Sequence, residues 1–288
     1  MSKFVFFGTT EYAVHVLEAL KQKNFLPVLI VTTPDSPQGR QLRLTPSPVK
    51  IWAMQQSIPV IQPEKLLPTI SELRATNSDF FIVAAYGKIM PSKILAVPKF
   101  TTLCVHPSLL PRWRGPSPVQ STILAGDAVT GVTILEVDKE VDHGPIISQK
   151  TLELTGAETS EDLDNILWKE GGNLVAEILK NANLLNSKKI QDHTQATFTK
   201  KIEKSDAEMP AEIILGKVKP SQTEEWERKV RAYFPTPLVY TKLTTKNGKE
   251  VRVQILKAHV NAGVLIPDRV KPEGKKEMQW ADFKRGNL

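Results

Sequence analysis

The sequence predicts an α/β protein in which a doubly wound, mostly parallel sheet is followed by a small all-β domain. Three observations predict this. Strand-like and helical runs alternate through the first two-thirds of the 288 residues. Runs such as Phe81-Ile82-Val83-Ala84-Ala85 are apolar without interruption, the pattern of strands buried on both faces of a helix-covered sheet. The last third instead offers short strand-like runs separated by turn residues, which suits a barrel or a sandwich.

Residues 3–7 are β-rich, and residues 11–21 carry Ala13, Val16, Leu17 and Leu20 at helical spacing. Residues 27–33 return to a strand, completing a βαβ opening. Later strands are expected at 80–86, 102–106, 131–137 and 146–154, with helices near 48–56 and 119–125. The strongest helix starts at Thr159 and runs to about residue 185. Thr159 and Asp162 have capping-box spacing, and Leu163, Ile166, Leu167, Leu174 and Ile178 form one stripe. Gly171 and Gly172 inside it each cost about 1 kcal/mol relative to alanine, so they are read as room for close helix packing. Residues 186–208 are polar and lysine-rich, the texture of a linker. Beyond them come an amphipathic helix at 223–233 and strands at 238–244, 250–260 and 264–266, punctuated by Asn247-Gly248 and Pro267. The expected division is therefore a first domain over 1–188, a linker over 189–207 and a second domain over 208–288.

Charge divides the chain in the same way. Residues 1–199 hold 19 Lys+Arg and 19 Asp+Glu, whereas residues 200–288 hold 19 and 12, so the whole net charge of +7 lies in the last third. Such an excess suits binding to a phosphate backbone, where cations displace condensed counterions; a merely solvated basic surface is the alternative. No stretch approaches the roughly 20 apolar residues of a membrane span, and the apolar run at 4–7 is too short for a signal peptide. The single cysteine, Cys104, forms no internal disulfide and fits a reducing compartment, so a cytoplasmic protein is expected. Gly8-Thr9-Thr10 lacks the spacing of a dinucleotide fingerprint, no P-loop occurs, and no cluster has metal-ligand spacing.

The chemistry-bearing residues gather after two strands. Cys104 and His106 are two apart in one predicted strand and so share a face near its carboxyl end. Residues 107–115, with two prolines and a glycine, read as a shaped loop at the ligand-binding edge of the sheet, and residues 138–144 supply carboxylates at the same edge. His106 and Asp142 can converge there, and a histidine beside a carboxylate suits acyl transfer. The bland readings are a hydrogen-bonded core histidine and an aspartate that caps a turn. Cys104 is either a small buried residue or a nucleophile, and the latter needs a lowered pKa. The long polar loop 34–48 contains Arg40 and Arg43; it is either functional or mobile.

Several runs together resemble the methionyl-tRNA formyltransferases. They are Phe7-Gly8-Thr9, Arg40 with residues 44–50 (LTPSPVK), residues 85–91 (AYGKIMP), His106 with residues 108–115 (SLLPRWRG), residues 125–127 (AGD), residues 131–133 (GVT) and residues 142–144 (DHG). The likeness spans nearly the whole chain, continuing to residues 272–276 and to 280–286, which resemble the family's closing strand. It implies a Rossmann-like formyltransferase domain and an OB-like carboxyl-terminal domain. It implies 10-formyltetrahydrofolate as formyl donor, with no metal, and the α-amine of methionine on initiator methionyl-tRNA as acceptor. By the resemblance His106 and Asp142 are catalytic, together with the position of Cys104. Tyr86, Gly87, Ile89, Met90, Ser108, Leu109, Leu110, Pro111, Asp138 and Val141 bind the folate, Arg40, Arg43 and Lys50 bind tRNA, and the protein acts as a monomer. Three departures stand out. Cys104 occupies the place of an asparagine, Thr10 that of a proline, and Gln41 and Leu42 make the arginine loop less basic. A thiol is a weaker donor than an amide, and losing one oxyanion donor typically slows transfer by about 10² to 10³. The expectation is a formyltransferase with impaired catalysis; the alternatives are an inactive tRNA-binding homologue and a formyltransferase acting on an amino-sugar nucleotide.

Overall fold

Phe4, Val5, Phe6 and Phe7 are all fully buried in the first strand, β1 (Phe4–Gly8), so this strand has helices or core on both faces. The computed structural model describes residues 2–39, 42–216 and 218–288. After β1 come α1 (Glu11–Gln22), β2 (Leu29–Val31), a ribbon of β3 (Ser36–Gln38) and β4 (Arg43–Thr45), then α2 (Pro48–Gln55), β5 (Val60–Ile61), α3 (Ile70–Ala75) and β6 (Phe80–Ala84). They are followed by α4 (Ser92–Leu95), β7 (Thr101–His106), α5 (Pro118–Ala125), β8 (Val129–Glu136), β9 (Ile146–Glu153) and α6 (Ser160–Lys180).

One sheet has the order β5-β2-β1-β6-β7-β8-β9. Strands β5 to β7 are mutually parallel, and β8 runs antiparallel to β7. The order reverses between β1 and β6, the place where a doubly wound sheet opens a crevice beyond its carboxyl ends. The expected mostly parallel fold is what forms. Thr9 N, just past β1, donates to Ala85 O just past β6, which fixes the two sides of that crevice. Beneath it Phe7 and Phe81 pack at 5.1 Å between ring centroids, within a cluster that includes Val31, Leu73 and Ile94.

Helix α6 begins as its sequence indicates. Thr159 N and Oγ1 donate to Asp162 Oδ2, while Asp162 N donates back to Thr159 Oγ1, a reciprocal cap. The paired glycines are there for close approach: a Cβ at Gly171 would overlap Val105 Cγ1, and one at Gly172 would overlap Ala19 Cβ and the backbone of Val16. The helix stops at Lys180, short of the expected 185, and continues as a 3-10 stretch, Ala182–Ser187.

The chain divides into two compact units. One comprises Met1–Gly115, Thr130–Leu152 and Asp164–Phe198, the other Pro116–Val129, Glu153–Leu163 and Thr199–Leu288. Besides α5, the second unit contains α7 (Ala211–Ile214), α8 (Pro220–Ala232), β10 (Tyr240–Thr244), β11 (Glu250–Asn261), β12 (Val264–Pro272), β13 (Met278–Gln279) and α9 (Trp280–Asn287). Strands β10 to β13 form an antiparallel sheet in chain order, as a small barrel-like domain requires. Strand β12 runs past Pro267 rather than ending there. Pro267 lies opposite Ala258 where the pairing register shifts, a position that tolerates a missing N–H. Residues 280–286 are corrected from strand to helix: Trp280 and Phe283, one turn apart, are both buried and stack at 5.4 Å, with Asp282 in the first turn and Lys284 and Arg285 in the last.

Candidate active site

The carboxyl end of β7 presents Cys104 and His106 on one face, while Val105 between them points at Gly171 of α6. His106 is nearly enclosed, its side chain 5% exposed. Its Nε2 lies 2.9 Å from Trp113 O, and because a carbonyl only accepts, that nitrogen carries the hydrogen. Nδ1 is thereby turned to Asp142, 3.5 Å from Oδ2. That separation is beyond a good hydrogen bond, so Nδ1 is aimed at the carboxylate without being consumed by it. The same Oδ2 accepts a hydrogen bond from Gly115 N at 2.8 Å. Thus one backbone amide joins the loop after β7 to the loop after β8. The geometry is held with backbone strain, since Trp113 and Asp142 both occupy the left-handed region with φ of 64° and 53°.

Cys104 stands beside this pair and is partly buried. Its pKa is pushed up, first by burial and then by the negative charge of Asp142. The thiol therefore keeps its proton, with Sγ 3.6 Å from Val105 O. That direction runs against the nucleophile alternative, which needs a thiolate.

The remaining expected residues fall into distinct roles. After β6, Gly87 is exposed and Ile89 is 82% exposed, but Tyr86 and Met90 turn their side chains into the core and offer only backbone. Burial raises the Tyr86 hydroxyl pKa to about 12, and that hydroxyl has no hydrogen-bond partner among the described residues. Ser108 is buried and donates to Arg112 O at 2.7 Å, bracing its own loop. Leu110 N donates to Thr133 Oγ1 and Leu110 O accepts from Gln149 Nε2, so the peptide bonds around Leu110 and Pro111 are fixed to β8 and β9; Leu109 is half-buried. Asp138 Oδ2 meets His143 Nδ1 at 2.6 Å, and Val141 is 65% exposed.

Of the expected tRNA-binding residues, Arg40 lies outside the described residues and Arg43 is exposed on β4. Lys50 has a partner of its own. Its Nζ is held by both oxygens of Asp35 at 2.8 Å, and the Asp35 pKa is lowered chiefly by that contact and next by Gln62. Ser47 caps α2 by accepting from Lys50 N, so the TPSPVK run is largely a helix start.

Sequence reasoning missed the segment 189–198. Lys189 and Ile146 exchange two backbone hydrogen bonds, Thr197 O accepts from Arg114 N, and Thr197 Oγ1 accepts from Trp113 N. Gln191 and Arg114 are each 4% exposed and hydrogen-bonded to one another. His193 stacks on His143 with ring centroids 4.0 Å apart. A polar run without periodicity carries no signal for such docking, because each of these contacts is made to residues 43 or more positions away (Lys189 to Ile146 is the shortest, 189 − 146).

Comparison with known proteins follows the same lines. Residues 2–179 match the family model described as formyl transferase. A methionyl-tRNA formyltransferase of Chloroflexus aggregans is 42% identical over 246 residues, covering 83% of this chain and 76% of that one. Another from Methylobacillus flagellatus is 34% identical over 309 aligned positions, covering 99% and 96%. Among solved structures, the methionyl-tRNA formyltransferase from Clostridium thermocellum superposes with a TM-score of 0.58 at 16% identity over 94% of this chain and 99% of that one. An N-formyltransferase from Helicobacter canadensis, in complex with folinic acid and dTDP-3-aminofucose, gives 0.62 at 19% identity, covering 91% and 88%.

Proposed function

The chain belongs to the formyl transferase family, and on that premise we propose that it moves the formyl group of 10-formyltetrahydrofolate onto the α-amine of methionine carried by initiator tRNA. Formyl transfer to methionyl-tRNA is the activity its relatives carry in name. The observation that supports the reading best is the His106–Asp142 pair, tied through Gly115 N and open at Nδ1.

In its doubly protonated form, with Nε2–H kept on Trp113 O, His106 donates from Nδ1–H to the formyl oxygen as charge gathers there during attack by the amine. Asp142, beside it, takes the proton that the attacking nitrogen must shed, directly or through a water. The bond between the formyl carbon and the donor nitrogen then breaks, and that nitrogen takes up the proton that Asp142 received, so the amide forms and the carboxylate is restored. A flat, partly apolar donor suits the exposed side chains of Ile89 and Val141. Cys104, a protonated thiol where an amide donor is expected, gives the oxyanion a weaker partner. Arg43 and the basic residues of 200–288 engage the tRNA phosphates, whereas Lys50 is committed to Asp35. In this reading residues 1–188, with the docked segment 189–198, catalyse, the rest of 189–207 connects and 208–288 form an OB-like tRNA-binding domain, in a monomer that works in the cytoplasm.

The test is a transfer assay on the full chain with the formyl donor, run against methionyl-tRNA and against a panel of amino-sugar nucleotides. Formyl-methionyl-tRNA is the expected product. Incorporation into a sugar alone, or salt-sensitive tRNA binding without product, overturns the reading.

A further inference from the structure

The 189–198 segment ties together the loop that follows His106 and the loop that carries Asp142, and the knot is a single amide. Gln191 Nε2 donates to Asp142 O at 2.9 Å and to Gly144 O at 2.7 Å. Its Oε1 accepts from Arg114 Nε at 3.1 Å and from Arg114 Nη2 at 2.6 Å. Both donors and both lone pairs of the amide are therefore used, in a buried place. Arg114 follows Trp113, whose carbonyl holds His106 Nε2, and precedes Gly115, whose amide holds Asp142 Oδ2. Arg114 Nη2 also reaches His193 Nδ1 at 2.8 Å, which keeps that nitrogen an acceptor.

Asp142 needs such support. Its φ of 53° is unfavourable, and two residues on Gly144 presses against the carbonyl of Glu136, where a side chain has no room. Gln191 bridges the carbonyls on either side of that turn, so its amide sets where the Asp142 backbone sits relative to the His106 loop.

Resting on the reading that Asp142 receives the amine's proton, we propose that Gln191 and Arg114 are positioning residues for catalysis: through the Gln191 amide they hold the Asp142 carboxylate in register with His106. Neither touches the reacting atoms in this account; each acts through Asp142.

Gln191→Glu separates the two halves of the bridge. A carboxylate still accepts from Arg114, but it cannot donate and places oxygen against the carbonyls of Asp142 and Gly144, which displaces the turn. A shift of about 1 Å in a catalytic group lowers rate by roughly 10²-fold, so kcat should fall on that order while the KM for the formyl donor changes by less than about threefold. The melting temperature should stay within about 4 °C of the parent, since the ion pair with Arg114 replaces the lost bonds. In an Asp142→Asn background the same substitution should lower kcat by less than about threefold more, because the group it acts through is already disabled. Gln191→Met, of similar volume, carries the same comparison if the glutamate variant does not fold. A parent chain that transfers no formyl group to methionyl-tRNA refutes the function reading instead. With an active parent, an unchanged kcat in Gln191→Glu, or losses that multiply fully with Asp142→Asn, refutes the positioning role.

Discussion

At Cys104 the physical chemistry is that of a donor rather than a nucleophile. Burial and the neighbouring Asp142 charge raise the thiol pKa, so the side chain offers only a weak S–H bond to a developing oxyanion. Cys104→Asn should therefore increase kcat for formyl transfer, by up to about 10²-fold if the amide reaches the oxyanion; equal rates for the two proteins would remove Cys104 as the limiting feature. A second residue-scale effect lies outside the site. Asp164 is buried between α1 and α6, where Trp168 Nε1 donates to Oδ1 at 2.9 Å and Tyr12 adds a further hydrogen bond. Desolvation outweighs both and raises its pKa from 3.8 to about 6. The folded protein thus holds this proton more tightly than the unfolded chain. The stabilisation is complete below pH ~4 and is lost as pH rises through about 6, by at most about 3 kcal/mol. Asp164→Asn should raise the melting temperature relative to the parent more at pH 7.5 than at pH 4; a difference independent of pH would show that Asp164 titrates normally.

At the scale of elements, α6 and β7 constrain each other through the glycine pair. Gly171→Ala gains about 1 kcal/mol of helix propensity, but its Cβ would meet Val105 Cγ1 and press on the strand that carries His106. Overpacking of this kind costs about 1 to 3 kcal/mol. The net effect should be a lower denaturation midpoint accompanied by reduced kcat, measured in urea and in the transfer assay; a stabilised and fully active variant would mean that the helix simply moves away. The helices and strands were legible where periodicity was strong: Ala13, Val16, Leu17 and Leu20 are all buried on α1, as their spacing requires. At residues 280–286 the strand expectation came from the family resemblance alone; the i,i+3 spacing of Trp280 and Phe283 suits a helix, which packs against the second unit's own sheet.

For the whole molecule, the decisive quantity is the separation of charge from chemistry along the chain. The site residues lie within the first unit, whereas the net +7 arises entirely from residues 200–288. Raising salt from about 50 to 200 mM should weaken apparent tRNA affinity by about tenfold or more, given three or four phosphate contacts. The KM for the folate donor should change little over the same range; parallel salt dependence of both would argue against a separate electrostatic docking surface. What the sequence determined alone is the alternation that builds a doubly wound sheet, the basic last third, and the placing of His106 and Asp142 after two strands, where they can converge. Those features are local or compositional, so periodicity and motif spacing suffice to read them. Tertiary structure decided that Lys50 answers to Asp35, that Tyr86 and Met90 face the core, that the Cys104 thiol keeps its proton, and that Gln191 clasps the Asp142 turn. Each depends on contacts between residues distant in sequence or on the dielectric around a group, and neither exists until the chain has folded.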